Sequence, residues 1–182
     1  METLNKLPQY ILDWTTIVKS MRNVNTYKLA LGRAILECVY QKSDLEENKD
    51  LIIQITDLAK CVLKYYWNQG FFFNIKQGST KPIICTYVEQ LIDSYTIKNG
   101  SYPKWWYEAC GFFSQKILGE YYKKISRALI DNPIPRFLYV DKGTIPVYSY
   151  NKKEIIITYE NAILIKEYNT ILLDVLNFKW AK

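Results

Sequence analysis

The chain has 182 residues and a mass of 21.5 kDa, which is enough for one domain with a sizeable hydrophobic core. Hydrophobic residues make up 49% of it and aromatic residues 15%, and this composition excludes an intrinsically disordered chain. No apolar run reaches the roughly 18 to 20 residues of a transmembrane helix, and the N-terminus METLNKLPQYILDWTT lacks the features of a signal peptide. We therefore expect a cytoplasmic protein.

Histidine is absent from the sequence, and the net charge is +6. The lack of imidazole excludes Ser/His/Asp and Cys/His catalytic sets and every His-ligated metal site. Only carboxylates, lysines, tyrosines and cysteines remain as acids, bases or nucleophiles. The composition therefore favours a protein without metal, cofactor or catalytic centre.

Four cysteines lie 23, 24 and 25 residues apart, at Cys38, Cys61, Cys85 and Cys110. Zinc sites bring two sulfurs together through a short C-x₂₋₄-C turn, which this sequence does not contain. Each cysteine has apolar neighbours in a predicted helix. We expect four buried free thiols in a reducing compartment.

The N-terminal third reads as two amphipathic helices. The first is predicted from Pro8 to Arg22. The second begins after Asn25, whose side chain is suited to accept a backbone N–H bond as N-cap. Its spacing predicts a buried face of four residues, namely Leu31, Ala34, Ile35 and Cys38.

A short β-branched run follows the acidic loop SDLEENKD, and "DLIIQI" at 50–55 has the composition of a strand. Thr56 or Asp57 is then placed to cap a third helix that ends at Asn68. The segment NQGFFFNIKQGSTKP predicts a loop that carries Phe71–Phe73 into the core. A fourth helix is predicted to begin at Pro82 and to end at Asn99 and Gly100.

The longest helical pattern runs from Pro103 to Asp131, with a bend expected near Gly111 or Gly119. Its two faces differ in chemistry. One face is apolar and holds Cys110, Ile117, Leu118, Tyr121, Ile125 and Leu129. The opposite face is basic and holds Lys116, Lys123, Lys124 and Arg127, with Glu120 among them.

The last fifty residues combine β-formers with a final helix. "DNPIPRF" interrupts the long helix, and the residues near 136–158 predict a β-hairpin or a three-stranded sheet. An apolar helix is then predicted from about Tyr159 to Lys182, where no stop signal follows. The sequence thus predicts a mainly α (α+β) fold in a single domain over 1–182, and the missing stop signal favours the N-terminal part of a longer protein.

Three stretches carry a resemblance to a known class of protein. "NTYKLALGRAILE", "LAKCVLKYYWNQ" and "ILLDVLNFKWAK", in that order, resemble the N-terminal helical region of bacterial HNH endonuclease-type proteins, which are similar to restriction or defence nucleases. The resemblance covers nearly all of the chain but rests on packing residues. The His-Asn-His residues have no counterpart in this chain, so it transfers no catalytic residue. It implies a region that positions DNA, a partner subunit or a nuclease module.

A metal-dependent nuclease built on carboxylates is a weak alternative. Asp141, Glu154 and Lys152 or Lys153 supply the residue types, but the acid-x-Lys order of such sites is missing. We therefore expect that this chain is not an enzyme.

The distribution of charge is consistent with a role in DNA binding. Between Lys98 and Arg136, seven Lys or Arg face three Asp or Glu, which gives +4 of the net +6. The candidate phosphate-binding residues are Lys116, Lys123, Lys124, Arg127, Arg136 and Lys104. A solvated helix face would show the same pattern. Trp105 and Trp106 beside it are suited either to stack on bases or to anchor the core.

Two function classes are consistent with these observations. The first is a non-catalytic DNA-binding or target-positioning region of an HNH-type endonuclease. The alternative is a structural protein-interaction or dimerisation domain with no nucleic-acid role, in which the many aromatic residues contact a homodimer partner.

Overall fold

The computed structural model describes residues 7–21, 26–73, 82–141 and 143–181. Within these ranges the chain forms nine α-helices and a small antiparallel sheet of three strands. The mainly α class with a minor β component is therefore confirmed. Arg22 and Asn25, the predicted end of the first helix and cap of the second, lie outside the described residues.

The first two helices, α1 (Gln9–Ser20) and α2 (Tyr27–Gln41), have the predicted buried faces. In α1 the apolar positions at helical spacing are fully enclosed, including Trp14 and Ile17. In α2 the four predicted residues are all buried, and so are most of their neighbours. The sequence predicted both helices because the apolar residues of each recur at helical spacing.

A strand and a helix follow without an intervening loop. Strand β1 (Leu51–Gln54) leads directly into α3 (Ile55–Phe73), so the predicted strand is confirmed but the predicted cap at Thr56 or Asp57 is wrong. The backbone N–H of Ile55 donates instead to the carbonyl of Lys153, 2.8 Å away on the sheet side. The backbone N–H of the first helical residue is therefore satisfied by a hydrogen bond to the sheet side and not by a capping side chain.

Helix α3 continues past Asn68, where the sequence predicted its end. Phe71–Phe73 belong to the last turn of α3 rather than to a loop, and Phe73 is exposed. The predicted placement in the core is therefore wrong for Phe73, whereas Phe71 is half-buried and packs against the core. Helix α3 continues past Gly70 because the aromatic residues after it pack on later parts of the chain, Phe71 on Tyr95 and Phe72 on Trp105. The rest of the predicted loop, residues 74–81, lies outside the described ranges.

An aromatic cluster centred on Trp67 joins α3 to the following segment. The indole of Trp67 is fully buried and its Nε1 donates to the carbonyl of Lys104 at 2.9 Å. Four rings surround it with centroids 5.2–5.8 Å away, those of Phe71, Tyr95, Trp106 and Phe113. Edge-to-face aromatic pairs add stability beyond the area they bury. This cluster fixes Tyr95 and the segment 104–113 on α3.

Helix α4 (Ile83–Asn99) has the predicted ends. Pro82 precedes its first turn, and Gly100 follows its last turn with a φ of 84°. That backbone conformation favours glycine, which explains the stop.

The long pattern over 103–131 is interrupted rather than continuous. It consists of the short helix α5 (Trp106–Ala109), a 3₁₀ turn at Cys110–Phe112, and α6 (Gln115–Asp131). The break is near Gly111, one of the two expected positions, whereas Gly119 lies inside α6. Ser114 caps α6 by accepting the N–H of Ile117.

Two prolines separate α6 from the β region. Helix α6 ends at Asp131, and Pro133 opens the short helix α7 (Pro133–Phe137), which was not predicted from the sequence. Proline is favoured at the first helical position because its missing N–H would have no partner there. The β region predicted from about residue 136 therefore begins only at Tyr139.

Four short strands follow α7: β2 (Tyr139–Val140), β3 (Gly143–Thr144), β4 (Ser149–Tyr150) and β5 (Glu154–Ile157). Strands β2 and β3 pair with each other, and β4 pairs with β5.

The third strand of the main sheet is β1, which pairs with β5 so that the order is β1-β5-β4. The sheet thus draws one strand from far earlier in the chain. Its inward side chains, among them Ile53 and Ile155, are buried.

The C-terminal helix is divided. Helix α8 (Tyr159–Glu167) begins after the cap residue Thr158, and α9 (Asn169–Trp180) follows a break at Tyr168. One continuous helix was predicted because both parts are apolar. None of the helices within the described ranges combines the length and apolar content that a membrane span requires.

Helix α2 is the central element, since it contacts α3, α7, α8, α9 and β1. Gly32 allows α7 and α9 to approach this helix closely. A Cβ added there would lie 3.0 Å from the ring of Phe137 and 3.1 Å from the side chain of Leu176. Phe137 has no room to retreat, because its ring packs against Trp14 and Tyr148.

We predict that Gly32→Ala lowers the free energy of unfolding by about 1–2 kcal/mol, because overpacking outweighs the gain in helix propensity. Gly119→Ala in α6 is the matched control, since nothing lies within 4 Å of its added Cβ. This control should raise stability by up to about 1 kcal/mol. Denaturant unfolding of both variants measures the difference, and a Gly32→Ala protein as stable as Gly119→Ala would contradict the packing argument.

Candidate functional site

The basic face of α6 is built from one side of an amphipathic helix. Leu118, Ile125 and Leu129 are buried against the core, as predicted. The four predicted cations on the opposite side are all exposed, and these four residues make up the basic face: Lys116, Lys123, Lys124 and Arg127.

The cations of the basic face form no ion pair with the described part of the chain. Lys124 is instead held over two aromatic rings, with its Nζ 4.6 Å from the ring centroid of Tyr121 and 5.7 Å from that of Tyr87 on α4. Such cation–π contacts orient a lysine while leaving its charge intact.

The other two candidate phosphate-binding residues lie on neighbouring elements. Lys104 precedes α5, is half-buried, and places its Nζ 5.6 Å from the ring centroid of Phe112. Arg136 is exposed on α7 beside Lys28 of α2. Burial lowers the pKa of Lys28, and the charge of Arg136 lowers it further. The structure thus groups four of the six residues on one helix face and places Lys104 and Arg136 on other elements.

The two neighbouring tryptophans have different environments. Trp106 is buried in the aromatic cluster, whereas 41% of Trp105 is exposed and its ring stacks on Phe72 with a centroid distance of 4.1 Å. Further exposed apolar side chains lie on the same stretch of chain, namely Ile97, Tyr102, Tyr107 and Phe112. The segment 97–112 therefore carries an exposed aromatic surface.

A second feature is a polar cleft of about 520 Å³ between α2, β1 and α3, with Trp106 and Tyr122 completing its wall. Two stripes of polar residues line it. Helix α2 contributes Glu37 and Gln41, one helical turn apart, and α3 contributes Asp57, Lys60 and Lys64. This cleft was not predicted from the sequence, although the polar residues at i, i+3, i+4 and i+7 in two apolar helices were a signal for it.

A hydrogen-bonded network organises the cleft around Glu37. Its carboxylate accepts hydrogen bonds from Lys64, from the hydroxyl of Tyr65 and from Gln41. Burial raises the pKa of Glu37, but the bonds from Lys64 and Tyr65 outweigh that effect and hold the pKa below its usual value. Burial and the bond to Glu37 raise the pKa of Tyr65.

Cys38 and Cys61 meet at the floor of the cleft. Their Sγ atoms are 4.0 Å apart, one on α2 and one on α3, and both residues are more than 90% buried. Cys85 and Cys110 are only half-buried, so the expectation of four buried thiols is wrong for these two. Cys110 lies in the 3₁₀ turn near the break in the long helix, where the chain reaches the surface.

The described residues give no support for a metal site or for a nuclease site built on carboxylates. No group of three or more Cys, Asp or Glu side chains there is placed to hold a metal ion. Glu154, one of the carboxylates weighed for a nuclease, accepts hydrogen bonds from Gln54 and Asn151 on the sheet.

The comparisons with known proteins identify the family. The family model described as "Domain of unknown function (DUF8808)" matches residues 12–178, so the chain belongs to this family. Neither the curated proteins nor the solved structures gave a significant match.

We predict that Glu37→Gln lowers the free energy of unfolding at pH 7 by about 1–3 kcal/mol, because Lys64 and Tyr65 lose a charged acceptor. The folded pKa of Glu37 lies below the unfolded value of about 4.3, so its contribution is present above that value. The contribution is lost as the pH falls through the folded pKa. The parent and variant should therefore converge in stability at acidic pH.

Glu46→Gln is the control for this prediction. Glu46 pairs with Lys49 on the exposed loop before β1, where solvent screens the pair. Its replacement should leave the denaturation midpoint unchanged at every pH. A Glu37→Gln protein that follows the same pH curve as the parent would show that the network does not stabilise the fold.

Proposed function

We propose that this member of the DUF8808 family is a non-catalytic domain that binds DNA, or positions it, by contacting the phosphate backbone through the basic face of α6. The observation that carries the proposal is the exposure of four cations on one helix face without ion-pair partners among the described residues. Lysine and arginine contacts to phosphates supply affinity that does not depend on sequence.

The length of the basic face suits a run of phosphates. Lys116 and Arg127 are eleven residues apart, which corresponds to about 16 Å along a helix. A DNA strand presents one phosphate for about every 3.4 Å of its axis. The cations at the two ends of the face therefore reach different phosphates rather than compete for one.

The link to an HNH nuclease stays a prediction. The proposal for α6 does not depend on it, since phosphate binding requires only the exposed cations. The proposed role assigns no chemical step to this chain.

A second candidate function is self-association through the segment 97–112. The favouring observation is its set of exposed apolar side chains, of which Tyr107 is 76% and Ile97 is 84% exposed. Apolar surface of this kind is typical of contact sites when it is contiguous. This function would be supported if the molecular mass of the parent doubled with concentration. The Tyr107→Ser variant should then keep the mass of the monomer.

We predict that the double variant Lys123→Glu and Arg127→Glu binds duplex DNA at least about tenfold more weakly at low salt, to a similar degree for unrelated sequences. The slope of log affinity against log salt should fall in magnitude by about 2, because two phosphate contacts are lost at roughly 0.9 each. Fluorescence anisotropy with labelled duplexes over a salt series measures both quantities.

The matched control is Lys152→Glu with Lys153→Glu, which makes the same charge change on the exposed turn between β4 and β5. This control should reduce the affinity for DNA only to the extent that the smaller net charge weakens the attraction to DNA. Equal losses in the two double variants, or no binding by the parent at low salt, would refute the phosphate-binding role of α6.

A further inference from the structure

The cysteines at the floor of the cleft are placed as a reacting pair. The 4.0 Å between the Sγ atoms of Cys38 and Cys61 is a direct sulfur–sulfur contact, across the interface of two packed helices. The two thiols are 23 residues apart in sequence, so the fold alone brings them together.

Solvent reaches this pair through the cleft. Cys38 is 7% and Cys61 is 8% exposed, and both line the cleft. The cleft volume of about 520 Å³ is enough to admit a small organic molecule. A core cysteine enclosed on all sides would lack such access.

The hydrogen bond between the two thiols favours the thiolate form of Cys38. It lowers the pKa of Cys38, whereas burial and the charges of Asp57 and Glu37 raise it, and the charge of Lys64 adds a smaller lowering effect. The same bond, together with burial, raises the pKa of Cys61. A thiolate beside a thiol is the arrangement that dithiol exchange requires.

We propose that Cys38 and Cys61 form a thiol–disulfide exchange site whose co-reactant is a low-molecular-weight disulfide, with Cys38 as the attacking sulfur and Cys61 as the resolving sulfur. This site is independent of the basic face of α6.

The exchange proceeds in two balanced steps. The Cys38 thiolate, having lost its proton to water, attacks one sulfur of the disulfide RSSR; a mixed disulfide forms, and RS⁻ leaves and takes up a proton. Cys61 then loses its proton to water and its sulfur attacks the Sγ of Cys38, so that the second RS⁻ leaves and is protonated. Two protein thiols are oxidised to one disulfide, and one RSSR is reduced to two RSH.

Closing the bond requires a side-chain movement. A disulfide needs the two sulfurs at about 2.05 Å, so the cysteine side chains must rotate toward each other from 4.0 Å. The product would join α2 to α3. Because it would close a loop from residue 38 to residue 61, it should also raise resistance to denaturant.

The test uses the full chain with Cys85→Ser and Cys110→Ser, which leaves only the proposed pair. Oxidised glutathione is the probe, and intact mass and peptide mapping are the readouts. We expect a Cys38–Cys61 cross-link with the loss of two hydrogen masses, no retained glutathione, and an unfolding midpoint at higher denaturant. Dithiothreitol should reverse all three changes.

Single variants in the same background assign the two roles. With Cys61→Ser, the reaction should stop at one glutathione adduct on Cys38. With Cys38→Ser, modification of Cys61 should be at least tenfold slower.

Three results would overturn the proposal. The first is a protein that is folded by circular dichroism but forms no cross-link in excess oxidised glutathione. The second is a cross-link that forms only in denaturant. The third is an equal rate of glutathione modification in Cys38→Ser and Cys61→Ser. The first two do not require either single variant to fold.

Discussion

The burial of α2 on nearly every side is the constraint on which the rest of the fold depends. Five elements pack around this helix, and its small residues Ala30, Gly32 and Ala34 let them approach closely. The contact of Gly32 with Phe137 and Leu176 brings the short helix α7 and the C-terminal helix α9 against it at the same level. A larger side chain there would separate elements that are more than a hundred residues from it in sequence.

A helix enclosed in this way has little room for polar residues, and Lys28, beside Arg136 of α7, lies apart from the polar stripe of α2. That stripe consists of Arg33, Glu37 and Gln41 at intervals of one turn, and Glu37 and Gln41 face the polar stripe of α3 across the cleft. Arg33 lies over the ring of Tyr65, whose hydroxyl donates to Glu37, so the network is continuous from the helix surface to the cleft. The thiols of Cys38 and Cys61 lie where this polar network meets the apolar core.

Helix α6 has the opposite relation to the core. Its apolar side packs on α3 and α4, and its other side carries exposed charges, of which Lys124 contacts the rings of Tyr121 and Tyr87. Tyr122 of the same helix lines the cleft, and α3 packs on both α6, which carries the basic face, and α2, which carries Cys38. Each site nevertheless depends on different chemistry, since phosphate binding needs exposed charge and thiol exchange needs partial burial.

The sequence by itself determined the features that depend on local periodicity. The helical repeat of apolar residues predicted α1, α2 and α4, and the β-branched run predicted β1. The amphipathic pattern predicted the buried and exposed sides of α6, because a residue's side of a helix follows from its spacing. The sequence left open whether Trp105 and Trp106 anchor the core or stack on bases.

Only the tertiary structure decided the features that depend on contacts distant in sequence. The pairing of β1 with β5, the extension of α3 through Phe73 and the cluster around Trp67 each require partners from another part of the chain. The same holds for the cleft, since Glu37 and Lys64, or Cys38 and Cys61, are neighbours only after α2 packs on α3. The spacing of four cysteines gave no sign of a pair, because their separation along the chain carries no information about which helix faces meet.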